Sequence, residues 1–100
     1  MVAPARQRQG IGRALVTDLE AILRARGAQT LWLGTDDETG QTSLANVDLY
    51  DDLPGHLARV QNLRNHPFTF YQRLGFTIVG VMPDANGIGK PDILMAKRIV

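Results

Sequence analysis

The chain has 100 residues, 44% of them hydrophobic, with 11 Lys and Arg against 10 Asp and Glu for a net charge of +1. That is enough for one small core, and it gives no electrostatic reason to expect nucleic acid as a partner. Cysteine is absent, which excludes disulfides and thiolate metal sites. There is no apolar run of membrane length and no signal-peptide pattern, so a cytoplasmic protein is expected.

In chain order, the first feature is RQRQGIGRA, residues 6–14, where Gly10 and Gly12 stand among arginines and glutamines. Beyond it, Ile11, Leu15, Leu19, Ile22 and Leu23 recur at helical spacing, with Arg13, Thr17, Glu20 and Arg24 on the other face. This predicts an amphipathic helix, ended by a left-handed cap at Gly27. QTLWLGT, residues 29–35, predicts a short buried strand with Leu31 and Leu33 to one side and Trp32 to the other. The polar stretch DDETGQTSLANVD, residues 36–48, predicts a loop able to carry functional groups. In residues 49–65, Leu53, Leu57, Val60 and Leu63 hint at a helix in which Pro54 fits only near the start. His66-Pro67 opens a clearer short helix, with Phe70 as a core residue one turn before Leu74 and Gly75 closing it. FTIVGVM, residues 76–82, and ILMAKRI, residues 93–99, flank the turn-rich PDANGIGKPD and predict an antiparallel hairpin. The class is α/β (α+β), organised as one domain.

A Gly-x-Gly that opens a helix offers backbone N–H groups at the positive end of the helix dipole, and glycine lets an anion approach closely. It is phosphate-binding chemistry, but no Gly-Lys-Ser/Thr follows as in a Walker loop. The third glycine and later acid of a dinucleotide fingerprint are missing too. On these residues alone, a tight turn before a surface helix explains the segment equally well.

Gln7-Arg8-Gln9-Gly10-Ile11-Gly12 resembles the pyrophosphate loop of the GNAT superfamily of acetyl-CoA-dependent N-acetyltransferases, Gln/Arg-x-x-Gly-x-Gly/Ala. The resemblance implies that the amides of Gln7 to Gly12, with Arg13 and Ala14, hold acetyl-CoA. Phe70-Tyr71-Gln72-Arg73-Leu74-Gly75-Phe76 is similar to a second element of that superfamily, Phe-Tyr-x-x-x-Gly-Phe, which makes Tyr71 the implied general acid for the departing thiolate. LGTDDETGQTSL and the closing PDANGIGKPDI segment are similar to aminoglycoside 6'-N-acetyltransferases. This implies acetyl transfer to an aminoglycoside, with Asp36 and Asp37 as substrate-binding acids, Asp36 foremost. Asp84 and Asp92, in turn-rich sequence, are expected to support local backbone, and His66 to be a helix-entry residue.

The mechanism implied is direct attack of the amine on the thioester, with no covalent intermediate and no metal. His56 and His66 have no partners at metal-ligand spacing. The resemblance covers only the latter part of such enzymes. It implies the C-terminal portion of a GNAT fold, a mixed sheet whose N-terminal strands are missing, and an exposed sheet edge or a homodimer where they belong. Two alternatives stay open: a GNAT enzyme acting on another amine, and a non-catalytic coenzyme A-binding or dimerising half-domain.

Overall fold

In the computed structural model the backbone is described for residues 5–100 and side chains from Gly12 onward. The elements are α1 Ala5–Ala25, β1 Thr30–Asp36, a 3-10 turn Leu49–Asp51, α2 Leu53–Ala58, α3 Phe68–Arg73, β2 Thr77–Met82 and β3 Asp92–Arg98. The strands form one sheet in the order β1-β3-β2, and β2 pairs antiparallel with β3 from Thr77↔Ala96 to Met82↔Asp92. The α+β class and the hairpin are as expected, while the register irregularity between Ile78 and Gly80 left no mark in the alternation. The chain divides into two compact units, Met1–Leu31 with Lys97–Val100, and Trp32–Ala96.

The first unit departs most from expectation. Helix α1 begins at Ala5, so the stretch Gln7 to Gly12 is helical rather than a loop ahead of the helix. Ala5, Arg6, Gln7, Arg8 and Gln9 are strong helix formers. Each glycine in a helix interior costs only about 1 kcal/mol relative to alanine, so favourable neighbours carry the helix through Gly10 and Gly12. The exit is as predicted: Gly27 has φ +87°, its N–H bonds Arg24 O at 3.0 Å, and Ala28 N–H bonds Leu23 O at 3.0 Å. These two bonds are the paired closure of a left-handed cap.

Three residues of the apolar stripe of α1 are exposed. Leu15, Leu19 and Ile22 are 64%, 43% and 53% exposed, whereas Glu20 on the opposite face is buried. Periodicity states which residues share a face; it does not state whether that face finds a partner. Glu20 is held instead by cations, with Lys97 Nζ at 3.0 Å and Arg24 Nη2 at 3.8 Å. Arg24 Nε also donates to Ile99 O, and Ile99 N–H bonds Gln29 O at 2.9 Å.

The second unit holds the main core, where Leu44, Leu49, Phe68, Leu74, Phe76, Val81, Ile93 and Met95 are buried. Along β1, Leu33 and Thr35 point inward and Trp32, Gly34 and Asp36 outward, the period-two pattern of a strand with one covered face. Helix α2 starts where Asp52 accepts the Gly55 amide at 3.3 Å, with Pro54 in the first turn. It ends at Ala58, far short of the leucine periodicity, because the following residues pair elsewhere. Ser43 N–H bonds Gln61 O at 3.0 Å, and Gln41 O accepts from both Leu63 and Arg64 at 2.8 and 3.0 Å.

In α3 the core aromatic is Phe68, at 4% exposure, and not Phe70, which is half-buried. Two positions along a helix are about 200° apart, so burying Phe68 turns Phe70 away. Gly75, at φ +96°, closes α3 as predicted: its N–H bonds Gln72 O and Phe76 N–H bonds Tyr71 O, both at 3.0 Å.

Candidate functional site

Strand β1 ends at Asp36 on its exposed side, so the next side chain, Asp37, turns inward and Glu38 outward again. Asp37 is fully buried. Its Oδ1 accepts the amides of Gln41 at 2.8 Å and Thr39 at 3.4 Å. Its Oδ2 accepts the amide and the hydroxyl of Thr42, each at 2.8 Å. Burial pushes the Asp37 carboxyl up, but the Gln41 amide, the Thr42 hydroxyl and amide and the Thr39 amide together outweigh it and hold it below its ordinary value. Asp37 therefore organises the 37–42 loop from within. Both its oxygens are occupied there, which does not match the substrate-facing role expected of it.

Asp36 and Glu38 are the exposed acids of the loop. A side-chain hydrogen bond to Asp36 pushes the Glu38 carboxyl up, and repulsion from the Asp36 charge and a small desolvation act the same way; Lys90 pulls it down. Two neighbouring carboxylates that raise each other's cost of ionising form a natural acceptor for a cation. The pairing of Glu38 with Asp36 is legible in the sequence only as an i, i+2 acid pair at a strand end.

Two further groups share this exposed side of the sheet. Trp32 is 68% exposed, and Gly34 makes room for Asp92: a Cβ at Gly34 would lie 2.5 Å from Asp92 Oδ2. Asp92 thus lies against Gly34, two residues from Asp36 on the same face of β1, rather than bracing its own turn. Asp84 behaves as expected of a turn residue, with φ +57° and its Oδ1 accepting the Gly89 amide at 2.8 Å.

Tyr71 is half-buried, set edge-on to Phe70 at 5.3 Å and to Phe76 at 5.8 Å between ring centroids. His66 is buried at 1% exposure. Its Nε2 lies 2.9 Å from Asp36 O, and its Nδ1 accepts the Phe68 amide at 3.0 Å. It is a helix-entry residue, as expected, with a second tie that sequence did not show.

The side chains of Gln7, Arg8, Gln9, Gly10 and Ile11 lie outside the described residues. Gly12 is half-buried, and Arg13 and Ala14 are exposed on α1. Among the described residues no group of three or more His, Cys, Asp or Glu could hold a metal, and no helix is long and apolar enough to cross a membrane.

Residues 1–53 match the profile of the acetyltransferase (GNAT) family. The chain belongs to the GNAT family. Solved structures extend the likeness past residue 53. The aminoglycoside 6'-N-acetyltransferase from Enterococcus faecium is 48% identical, with a TM-score of 0.93 over 99% of this chain and 55% of that one. An aminoglycoside 6'-N-acetyltransferase complexed with coenzyme A is also 48% identical, with a TM-score of 0.91 over 100% of this chain and 56% of that one. An aminoglycoside 6'-acetyltransferase type Ii is 39% identical, with a TM-score of 0.64 over 99% of this chain and 48% of that one. This GNAT chain therefore spans about half the length of the structures it matches. A comparison with curated proteins gave no match.

Proposed function

We propose that this chain supplies coenzyme-side and acceptor-side residues for acetyl transfer from acetyl-CoA to an amine of an aminoglycoside. The observation that carries this reading is the exposed Asp36–Glu38 carboxylate pair at the end of β1. Aminoglycosides are polycations, and a crowded carboxylate pair gains from a bound ammonium both an ion pair and relief of its own repulsion. Trp32 and Asp92 on the same face extend the surface for a sugar ring and a second amine. The likeness to structures of aminoglycoside 6'-N-acetyltransferases, one of them holding coenzyme A, supports the same substrates.

In this reading the segment Gln7 to Ala14, in the first turns of α1, binds the pyrophosphate of acetyl-CoA at the positive end of the helix dipole. The neutral amine attacks the acetyl carbonyl carbon, the C–N bond forms as the C–S bond breaks, and the thiolate takes the phenol proton of Tyr71. The proton released by the acylated amine restores the phenol. Nothing is transferred covalently to the protein, which suits a chain without cysteine.

Calorimetry with tobramycin and with coenzyme A, each added to the full chain, tests the assignment. Binding of tobramycin that is lost in Asp36→Asn supports it. No tobramycin binding, or equal binding by Asp36→Asn, overturns it. Tighter binding of spermidine than of tobramycin would move the substrate class to polyamines.

A dimerising, non-catalytic half-domain is favoured by one observation, the exposed stripe Leu15, Leu19 and Ile22. A monomeric mass in solution removes that reading. A dimer that Leu19→Arg converts to monomer establishes it.

A further inference from the structure

We infer that His66 is a positioning residue that fixes Asp36, the acceptor carboxylate, relative to the helix carrying Tyr71. The inference rests on the roles proposed above for Asp36 and Tyr71.

The ring is held at both nitrogens by groups whose roles are unambiguous. The Phe68 amide can only donate, so Nδ1 accepts its bond at 3.0 Å. The Asp36 carbonyl can only accept, so Nε2 carries the hydrogen across 2.9 Å. Both bonds together require the neutral imidazole protonated at Nε2. One planar ring thereby spans from the last residue of β1 to the first residue of α3, whose Tyr71 lies one turn further on and whose amide bonds Pro67 O at 3.2 Å.

The ring is itself clamped. Asn62 Oδ1 accepts the His66 amide at 2.7 Å, and Asn62 Nδ2 donates to His66 O at 2.9 Å and to Thr69 Oγ1 at 3.2 Å. Asn62 forms a β-bridge with Thr42, and Thr42 donates twice to Asp37 Oδ2. The path closes on itself, from Asp36 to Asp37 along the chain, to Thr42, to Asn62, to His66 and back to Asp36. The Thr42–Asn62 step is carried by the flanking backbone bonds of Ser43 N–H to Gln61 O at 3.0 Å and Leu63 N–H to Gln41 O at 2.8 Å, and a closed circuit resists displacement at every member more than an open row does. Phe68, with its ring centroid 5.5 Å from His66 and its side chain buried, blocks the imidazole from swinging out.

The two bonds can be removed separately. Asparagine places a carbonyl oxygen as many bonds from Cβ as Nδ1, and glutamine places an amide nitrogen as many as Nε2. His66→Asn therefore keeps the bond from Phe68 and loses the tie to Asp36, while His66→Gln does the reverse. The Asn62 clamp acts on the backbone of residue 66, so both variants keep it.

Amide hydrogen exchange by NMR on the full chain reads the tie directly. A lost buried bond is expected to speed exchange roughly fivefold. His66→Asn should show this at Gln41 and Thr42, with Phe68 and Tyr71 unchanged; His66→Gln should show it at Phe68 and Tyr71, with Gln41 and Thr42 unchanged. Tobramycin should bind at least about threefold more weakly to His66→Asn and near the wild-type level to His66→Gln. Uniform loss of protection in both variants, or equal tobramycin affinities, would show a packing role only and overturns the inference. If wild-type chain fails to bind tobramycin, the acceptor reading falls, and the exchange pattern still decides whether His66 ties the two elements.

Discussion

Replacing Asp37 with asparagine changes one atom and one charge in a fully buried side chain, and its cost follows from the bonds around it. The carboxylate accepts at both oxygens, from the amides of Gln41 and Thr39 on one side and from the amide and hydroxyl of Thr42 on the other. An asparagine keeps one oxygen. Whichever way its amide is turned, the NH2 group faces a backbone N–H, of Gln41 or of Thr42, that then has no acceptor. One buried unsatisfied donor costs about 1–3 kcal/mol, and each surviving bond falls from a charge-assisted to a neutral one, so the total is about 3 kcal/mol.

For a chain of this length that corresponds to a loss of roughly 12–24 °C in melting temperature. Circular dichroism melts and urea titrations of the wild type, Asp37→Asn and Asp36→Asn check it. Asp36→Asn, on an exposed side chain, should stay within about 0.5 kcal/mol of wild type. An Asp37→Asn variant equally close to wild type would refute the account of the loop. The sign with pH is fixed by the same bonds. The Asp37 carboxyl is held below its ordinary value, so its contribution is present above the ordinary aspartate range and is lost as pH falls through its lowered value.

Two further outcomes are expected. Glu38 is raised chiefly by the hydrogen bond and charge of Asp36, so as pH falls, with the ligand amines fully charged, tobramycin affinity should begin to weaken while still above the ordinary glutamate range. Glu38→Gln should remove that early onset, and a wild-type affinity that stays flat as pH falls into the glutamate range sinks the carboxylate-pair account. Gly89→Ala places a side chain at φ +75° with its Cβ 3.2 Å from the Asn46 Cα, and a chemical denaturation series should show a loss of about 1–3 kcal/mol. Wild-type stability in that variant would show that the Asn46–Gly89 turn contact yields without strain.

The local elements were written in the residues themselves. The cap at Gly27, strand β1 with Trp32 on the face opposite Leu31 and Leu33, the closure of α3 at Gly75 and the β2–β3 hairpin all follow from short-range periodicity and from backbone angles that glycine alone adopts easily. The family motifs were legible for the same reason, since they are contiguous runs. Tertiary structure decided the rest. It chose Phe68 over Phe70 for the core, ended α2 at Ala58 and left Leu15, Leu19 and Ile22 exposed, because a periodic face does not name its partner. It also separated three neighbouring acids: Asp37 became an internal anchor, while Asp36 and Glu38 stayed outside as a pair. Composition cannot make that distinction, because alternation along an extended strand says that adjacent residues face opposite ways. Which way is inward is fixed only by residues far along the chain, such as Asn62, His66 and Pro91, whose carbonyl accepts the Asp37 amide at 3.0 Å.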